Sequence, residues 1–193
     1  MNKELLRKVE QTFLIRKIKD MQPITAGNIN STYRVDADGA RYILQRINKN
    51  VFTKPEEVMQ NIRRVSRFLE KKVLQEGGDP SREVLHPIDT LDGSRFFVDE
   101  NGNYWRMYDC IEGARTYDNI DNPEIFYKVG GAFGRFQKRL SDYPAENLHE
   151  AITDFHNTPK RYNDFIKDVK LDVCDRVEEV AKEIIFVIKN SSC

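Results

Sequence analysis

Two runs of alternating side chains, Ser31 to Val35 and Arg41 to Ile47, are separated by Asp36-Ala-Asp-Gly39. The Asp-Gly step supplies the positive φ that a tight hairpin turn needs, and period-two alternation makes both runs strands. A further strand is expected over roughly 15 to 24, so the chain commits early to an antiparallel meander. Between that strand and the hairpin lies a turn-rich loop, Thr25-Ala-Gly-Asn-Ile-Asn30. Such a loop can line up backbone N–H groups toward an anion. Ahead of the meander, Leu5, Leu6, Val9, Phe13 and Leu14 recur at helical spacing and predict a short amphipathic helix.

Helical periodicity takes over after the hairpin. Thr53-Lys-Pro-Glu56 reads as a capping box with proline in the first turn, followed by Val58, Met59, Ile62, Val65, Phe68 and Leu69 at spacings of three and four. A long helix over 54–74 is the result. Gly77-Gly-Asp-Pro80 ends it. Glu83 to His86, Ser94 to Val98 and Tyr104 to Tyr108 then read as strands, divided by Asp92-Gly93 and Asn101-Gly102. From Asp109 the character changes: a polar loop, Glu112-Gly-Ala-Arg115, leads into a chain that reads almost wholly helical. One helix starts at Pro123 with the stripe Ile125, Phe126, Val129, Phe133, Phe136 and Leu140, and two more are expected over 158–169 and 172–189. The expected fold class is α+β, an antiparallel sheet plus one long helix followed by a helical part.

Lysine plus arginine and aspartate plus glutamate both number 31, so no net field draws the chain to nucleic acid or to an anionic membrane. Neither is expected as a partner. The apolar stretch Ile184 to Ile188 is far shorter than the roughly 20 residues of a membrane-spanning helix. Met1 to Lys8 carries acids and bases with no apolar core, unlike a signal peptide, so a cytoplasmic location is expected. Cys110, Cys174 and Cys193 are odd in number and far apart, which fits neither a disulfide framework nor a zinc site. His86, His149 and His156 have no metal-ligand spacing, and no metal site is expected on the chain.

The order of strand, loop, strand, strand, capped helix, strands, polar linker and helices is that of a protein-kinase-like small lobe running through a hinge. Gly27-Asn-Ile-Asn-Ser-Thr-Tyr33, Arg41-Tyr-Ile-Leu-Gln45, Trp105-Arg-Met-Tyr108, Val129-Gly-Gly-Ala-Phe-Gly-Arg-Phe-Gln137 and Phe155-His-Asn-Thr-Pro-Lys-Arg-Tyr162 sharpen the match. Together they resemble the N-acetylhexosamine 1-kinases, within the aminoglycoside phosphotransferase and choline kinase superfamily. The resemblance runs from about residue 20 to 170 and covers the first half of that family's pattern. It implies a nucleotide-binding small lobe over 1–110, then a hinge and the first helices of a large lobe over 111–193. It implies ATP and Mg2+ as cofactors of the intact family, and a small-molecule acceptor phosphorylated at a hydroxyl. Choline, homoserine or an aminoglycoside are alternative acceptors for the same fold. A non-catalytic interaction module is the alternative from a different class.

In such kinases the loop covers the nucleotide phosphates while its tip approaches the sugar. That makes Gly27, Asn28, Asn30, Ser31 and Thr32 nucleotide-binding candidates, and Asn28 a substrate-binding candidate too. The third strand usually carries a lysine for the phosphates, and here the position holds Gln45. Glutamine brings no charge, so neutralisation falls to Arg46, Arg41 or a metal. Alternation puts Arg41 and Gln45 on one face and Arg46 on the other, which counts against Arg46. At the hinge, backbone groups of Asp109 and Ile111 are expected to meet an adenine edge. Trp105, Met107 and Phe97 read as strand core.

Phosphoryl transfer needs an aspartate for the acceptor hydroxyl, an asparagine downstream and a further acid for magnesium. No His-x-Asp-x-x-x-x-Asn arrangement occurs in the 193 residues, so no catalytic residue is assigned. The chain alone is expected to be inactive, as a truncated kinase would be, and to bind nucleotide weakly or not at all. Val173, Val177, Val180, Ile184 and Ile188 form a stripe on the expected terminal helix. With the helix over 123–141 it predicts a homo-oligomer that covers both apolar faces.

Overall fold

The computed structural model describes residues 3–13, 15–25, 27–114, 117 and 122–191; Leu14, Ala26, Arg115 and Cys193, singled out above, lie outside the described residues. The meander forms where the turn chemistry places it. β1 (Ile18–Ile24), β2 (Ser31–Ala37) and β3 (Ala40–Arg46) pair antiparallel in turn, and Gly39 takes φ 83° at the tip of the β2–β3 hairpin. A side chain there would be strained, which is what the glycine avoids. The sheet continues through β4 (Pro87–Ile88), β5 (Phe97–Val98) and β6 (Tyr104–Asp109). Its order is β1-β2-β3-β6-β4, with β5 also on β6 and every pairing antiparallel.

Alternation sorts the sheet into two faces. On one, Val35, Leu44, Trp105 and Met107 meet Val9 and Phe13 of α1 (Lys3–Phe13), with Phe13 edge-to-face on Phe97 at 5.7 Å. Val9, Val35, Leu44 and Met107 are fully buried, each contributing about 1.5–3 kcal/mol. Trp105, Met107 and Phe97 are therefore core, as their composition predicts. Two bonds seat the helix: Ile18 N donates to Glu10 at 2.6 Å and Leu91 N to the Thr12 carbonyl at 2.8 Å.

The other face meets α2 (Pro55–Gln75) through buried Met59, while the Tyr104 hydroxyl donates to Glu56 at 2.8 Å. Glu56 and Glu57 occupy the first turn, where they favour the positive end of the helix dipole. The capping box does not form. Pro55 takes the N1 position that its fixed φ suits, which makes Lys54 the N-cap, and Lys54 reaches Glu57 instead of a helix N–H. Glu83 to His86 is likewise not a strand. Asp79 caps a short helix, α3 (Pro80–Glu83), by accepting from Ser81 N, and pairing starts only at Pro87. Ser94 to Val98 narrows to β5 because Asp92 accepts from Ser94 N and Ser94 O accepts from Thr90 N, holding Ser94 in a turn.

Two compact units divide at Ala151 and Ile152. In the first, α4 (Pro123–Leu140) is capped by Asn122 and followed by a 3₁₀ turn, Ala145–Asn147. Arg139 bridges Glu76 and Glu83, each at 2.8 Å, and Phe68 meets Tyr143 edge-to-face, tying the end of α4 to α2. The second unit holds α5 (Thr158–Leu171), capped by Asn157, and α6 (Ala181–Lys189). The expected helix over 172–189 starts late. Asp172 adopts φ 40° as the C-cap of α5, and its carboxylate accepts from Arg176 N and Val177 N, so residues 172–180 turn instead. Val173 is exposed off any helix and Ile184 is buried, so the predicted stripe is not continuous. No helix among the described residues is long and apolar enough to cross a membrane.

Candidate functional site

The loop between β1 and β2 borders a shallow concavity of about 240 Å³ lined by Gly27 to Tyr33 with Pro23 and Ile24. Neither backbone nor packing demands glycine at 27. Its φ is not in the left-handed region, and a Cβ there would meet only the Asn30 carbonyl at 4.0 Å. Asn30 pins the loop to the end of β3 by accepting from Asn48 N at 3.0 Å, while Asn28 stands exposed at the turn. Ser31 and Thr32 sit opposite Arg46 and Gln45 in the hairpin register. Their hydroxyls accept from those side chains, Ser31 from Arg46 and Thr32 from Gln45, both at 3.0 Å.

Gln45 turns its other end toward β6. Its Oε1 accepts from Arg106 Nε at 3.1 Å and from Nη2 at 3.0 Å. Arg106 is only 7% exposed, with Nη1 3.7 Å from Met59 Sδ and the guanidinium 5.3 Å from the centre of the Tyr108 ring. Burial lowers the Arg106 pKa from its ordinary value, yet a guanidinium stays charged in proteins. Burial also pushes the Tyr108 hydroxyl up to about 12, so the ring facing Arg106 is a neutral phenol.

Both arginines of the third strand, Arg41 and Arg46, are exposed. Arg41 is held between Glu112 at 2.8 Å and Asp36 at 2.9 Å, carboxylates that raise its pKa further and occupy its charge. Arg46 is bonded to Ser31. Among the described residues no group of three or more His, Cys, Asp and Glu side chains is placed to hold a metal ion. The buried cation beside Gln45 is Arg106, to which sequence reasoning gave no role. The signal was an arginine in the middle of Trp105-Arg-Met-Tyr108, on the opposite alternation from core residues Trp105 and Met107.

At the end of β6, Asp109 N donates to the His86 carbonyl and Cys110 N to the Arg41 carbonyl, both at 3.1 Å. The half-buried Ile111 follows, and Gly113 at φ 70° turns the chain away. Burial, then the nearby Glu112 carboxylate, pushes the Cys110 thiol up from its ordinary value, so it is not an activated nucleophile. Two of the three histidines make structural hydrogen bonds. His86 Nε2 lies 3.0 Å from the Pro80 carbonyl, and His149 Nε2 lies 2.9 Å from Gln60 Oε1. A larger open concavity of about 760 Å³ lies between α1 and residues 98–101, and none of the candidates line it.

The profile of the phosphotransferase enzyme family, APH, matches residues 20–185. Among solved structures, spectinomycin phosphotransferase, crystallised with ADP and spectinomycin, is similar in fold with a TM-score of 0.53 at 15% sequence identity. The similarity spans 100% of this chain and 54% of that one, so the chain matches about half the length of its solved relative. At that identity the likeness speaks for the fold, and the profile speaks for the family. With loop, sheet and helices in this order and most of its length matched, the chain belongs to the phosphotransferase enzyme family.

Proposed function

We propose that residues 1–110 hold the nucleotide in an ATP-dependent small-molecule kinase, and that 111–193 supply its hinge and the first helices of a larger helical lobe. One observation carries this reading. The loop at 27–32 leads from β1 into β2, Gln45 lies on β3, and residues 109–111 leave the end of β6, so all three adjoin one sheet within the family match. The ADP bound in the spectinomycin phosphotransferase complex supports a nucleotide as ligand. Gly27, Asn28, Asn30, Ser31 and Thr32 lie along the phosphates, and the Asp109 carbonyl and Ile111 amide meet the purine edge. The open space around Gly27 fits a phosphate brought close to the backbone. Mg2+ would accompany the nucleotide, held by its phosphates and by one or two carboxylates.

The five sequence segments quoted above favour an N-acetylhexosamine as acceptor, with Asn28 near the sugar. The spectinomycin in the solved relative favours the second reading, an aminoglycoside-type acceptor. A cytoplasmic location and self-association through exposed apolar helix faces belong to the same reading. Equilibrium titration of the chain with ATP tests it. Weak binding, abolished by Gly27→Val while thermal stability is unchanged, is the expected result. No saturable ATP binding at millimolar concentration would remove the nucleotide role and leave a non-catalytic interaction module.

A further inference from the structure

We propose that Arg106, acting through Gln45, is the positioning residue for the polyphosphate end of the nucleotide site, and that it supplies the positive charge that Gln45 itself does not carry. The inference rests on the nucleotide reading above. It starts from an electrostatic imbalance. Arg106 is more than nine-tenths buried, and among the described residues its side-chain hydrogen bonds and ring contact are to neutral groups: the Gln45 amide oxygen, the Met59 sulfur and the un-ionised Tyr108 ring. Burying a cation without a counter-charge is unfavourable, and a methionine or leucine would fill the same space without that penalty. A ligand anion supplies the missing counter-charge.

The hydrogen bonds show how the charge reaches the loop. Arginine has only donors, so Gln45 must turn its oxygen to Arg106 and its NH2 away. That NH2 donates to Thr32 Oγ1 at 3.0 Å. A threonine hydroxyl whose lone pair is taken this way keeps its own proton for a further acceptor, and Thr32 lines the loop concavity. Guanidinium, amide and hydroxyl thus form one chain of dipoles whose positive end faces the place assigned to phosphate, each bond polarising the next. A lysine at the third strand would deliver a movable point charge. Here the charge is fixed one strand away on the same sheet face and transmitted through two neutral groups.

Affinities of the full 193-residue chain for ATP, adenosine and inorganic tripolyphosphate test this, with circular dichroism melts confirming that each variant is folded. Arg106→Met should weaken ATP and tripolyphosphate about tenfold, the scale of losing hydrogen bonds backed by a charge, and leave adenosine within about twofold. Arg106→Lys should recover part of the loss. Gln45→Leu, which leaves the cation in place, should show the same selective loss, and the double variant should be no worse than either single one because both break one chain. Unchanged ATP affinity in Gln45→Leu overturns the inference even if Arg106→Met does not fold. Equal losses for ATP and adenosine overturn it as well, since they mark a purely structural arginine. Wild-type chain that binds adenosine as tightly as ATP overturns it while the nucleotide reading stands. Wild-type chain that binds none of the three overturns both.

Discussion

Single residues here are read through their protonation and their partners. Tyr108 is 4% exposed and its hydroxyl is pushed up to about 12 from an ordinary 10.0, because burial disfavours the phenolate. The unfolded chain therefore releases this proton first. The stabilisation from Tyr108 is complete below pH 10 and declines as pH rises toward 12, by roughly 3 kcal/mol in all. Denaturant midpoints measured across that interval should fall less steeply in Tyr108→Phe than in the unmodified chain, and parallel curves would contradict the buried, neutral phenol. Arg106 shows why such residues escape a reading of the sequence alone. Its partner Gln45 lies 61 positions away, and only the β3–β6 register, which sets Gln45 opposite Arg106, brings them together. The place of Gln45 on the third strand was legible from the alternation of that strand. The pairing was not.

Elements with strong local punctuation were legible, and those decided by a single cap were not. The hairpin of β2 and β3 and the turns at Gly93 and Gly102 all use the positive φ that their Asp-Gly and Asn-Gly steps predict. The stretch from Glu83 to His86 looked like a strand because Val84 and Leu85 are apolar, yet Asp79 and Pro80 form an N-cap and first position that start a helix there. The start of α6 was missed for a similar reason: Asp172 bonds the following amides and stops the chain from continuing α5. For α4 the stripe is as predicted, and it is unburied: Phe126 is 68% exposed, Phe133 65% and Phe136 48%. Those rings lie at helical spacing on one side, and wetting them is unfavourable. Phe133→Glu should therefore lower any self-association seen by light scattering across dilution, with the melting temperature unchanged. A wild-type chain that stays monomeric at every concentration would contradict this. Replacing Ile184 would be a poor probe, since that side chain is already buried.

At the scale of the whole molecule, the family match and the chain's chemistry set different expectations. Purified chain should not transfer phosphate from ATP to N-acetylhexosamines, because the 193 residues contain no His-x-Asp-x-x-x-x-Asn arrangement to orient an acceptor hydroxyl. Sugar phosphate formed above background by contaminant-free protein would show that a catalytic acid exists elsewhere in this sequence. The helix α1 has a practical consequence for anyone who divides this protein. The family profile begins at residue 20, yet Val9 and Phe13 fill the core on the far side of the sheet from Gln45. A fragment cloned from the start of the profile would leave Leu44, Trp105 and Met107 without their cover. Failure of such a fragment to express would then report a misplaced boundary, and would say nothing about whether the chain binds nucleotide.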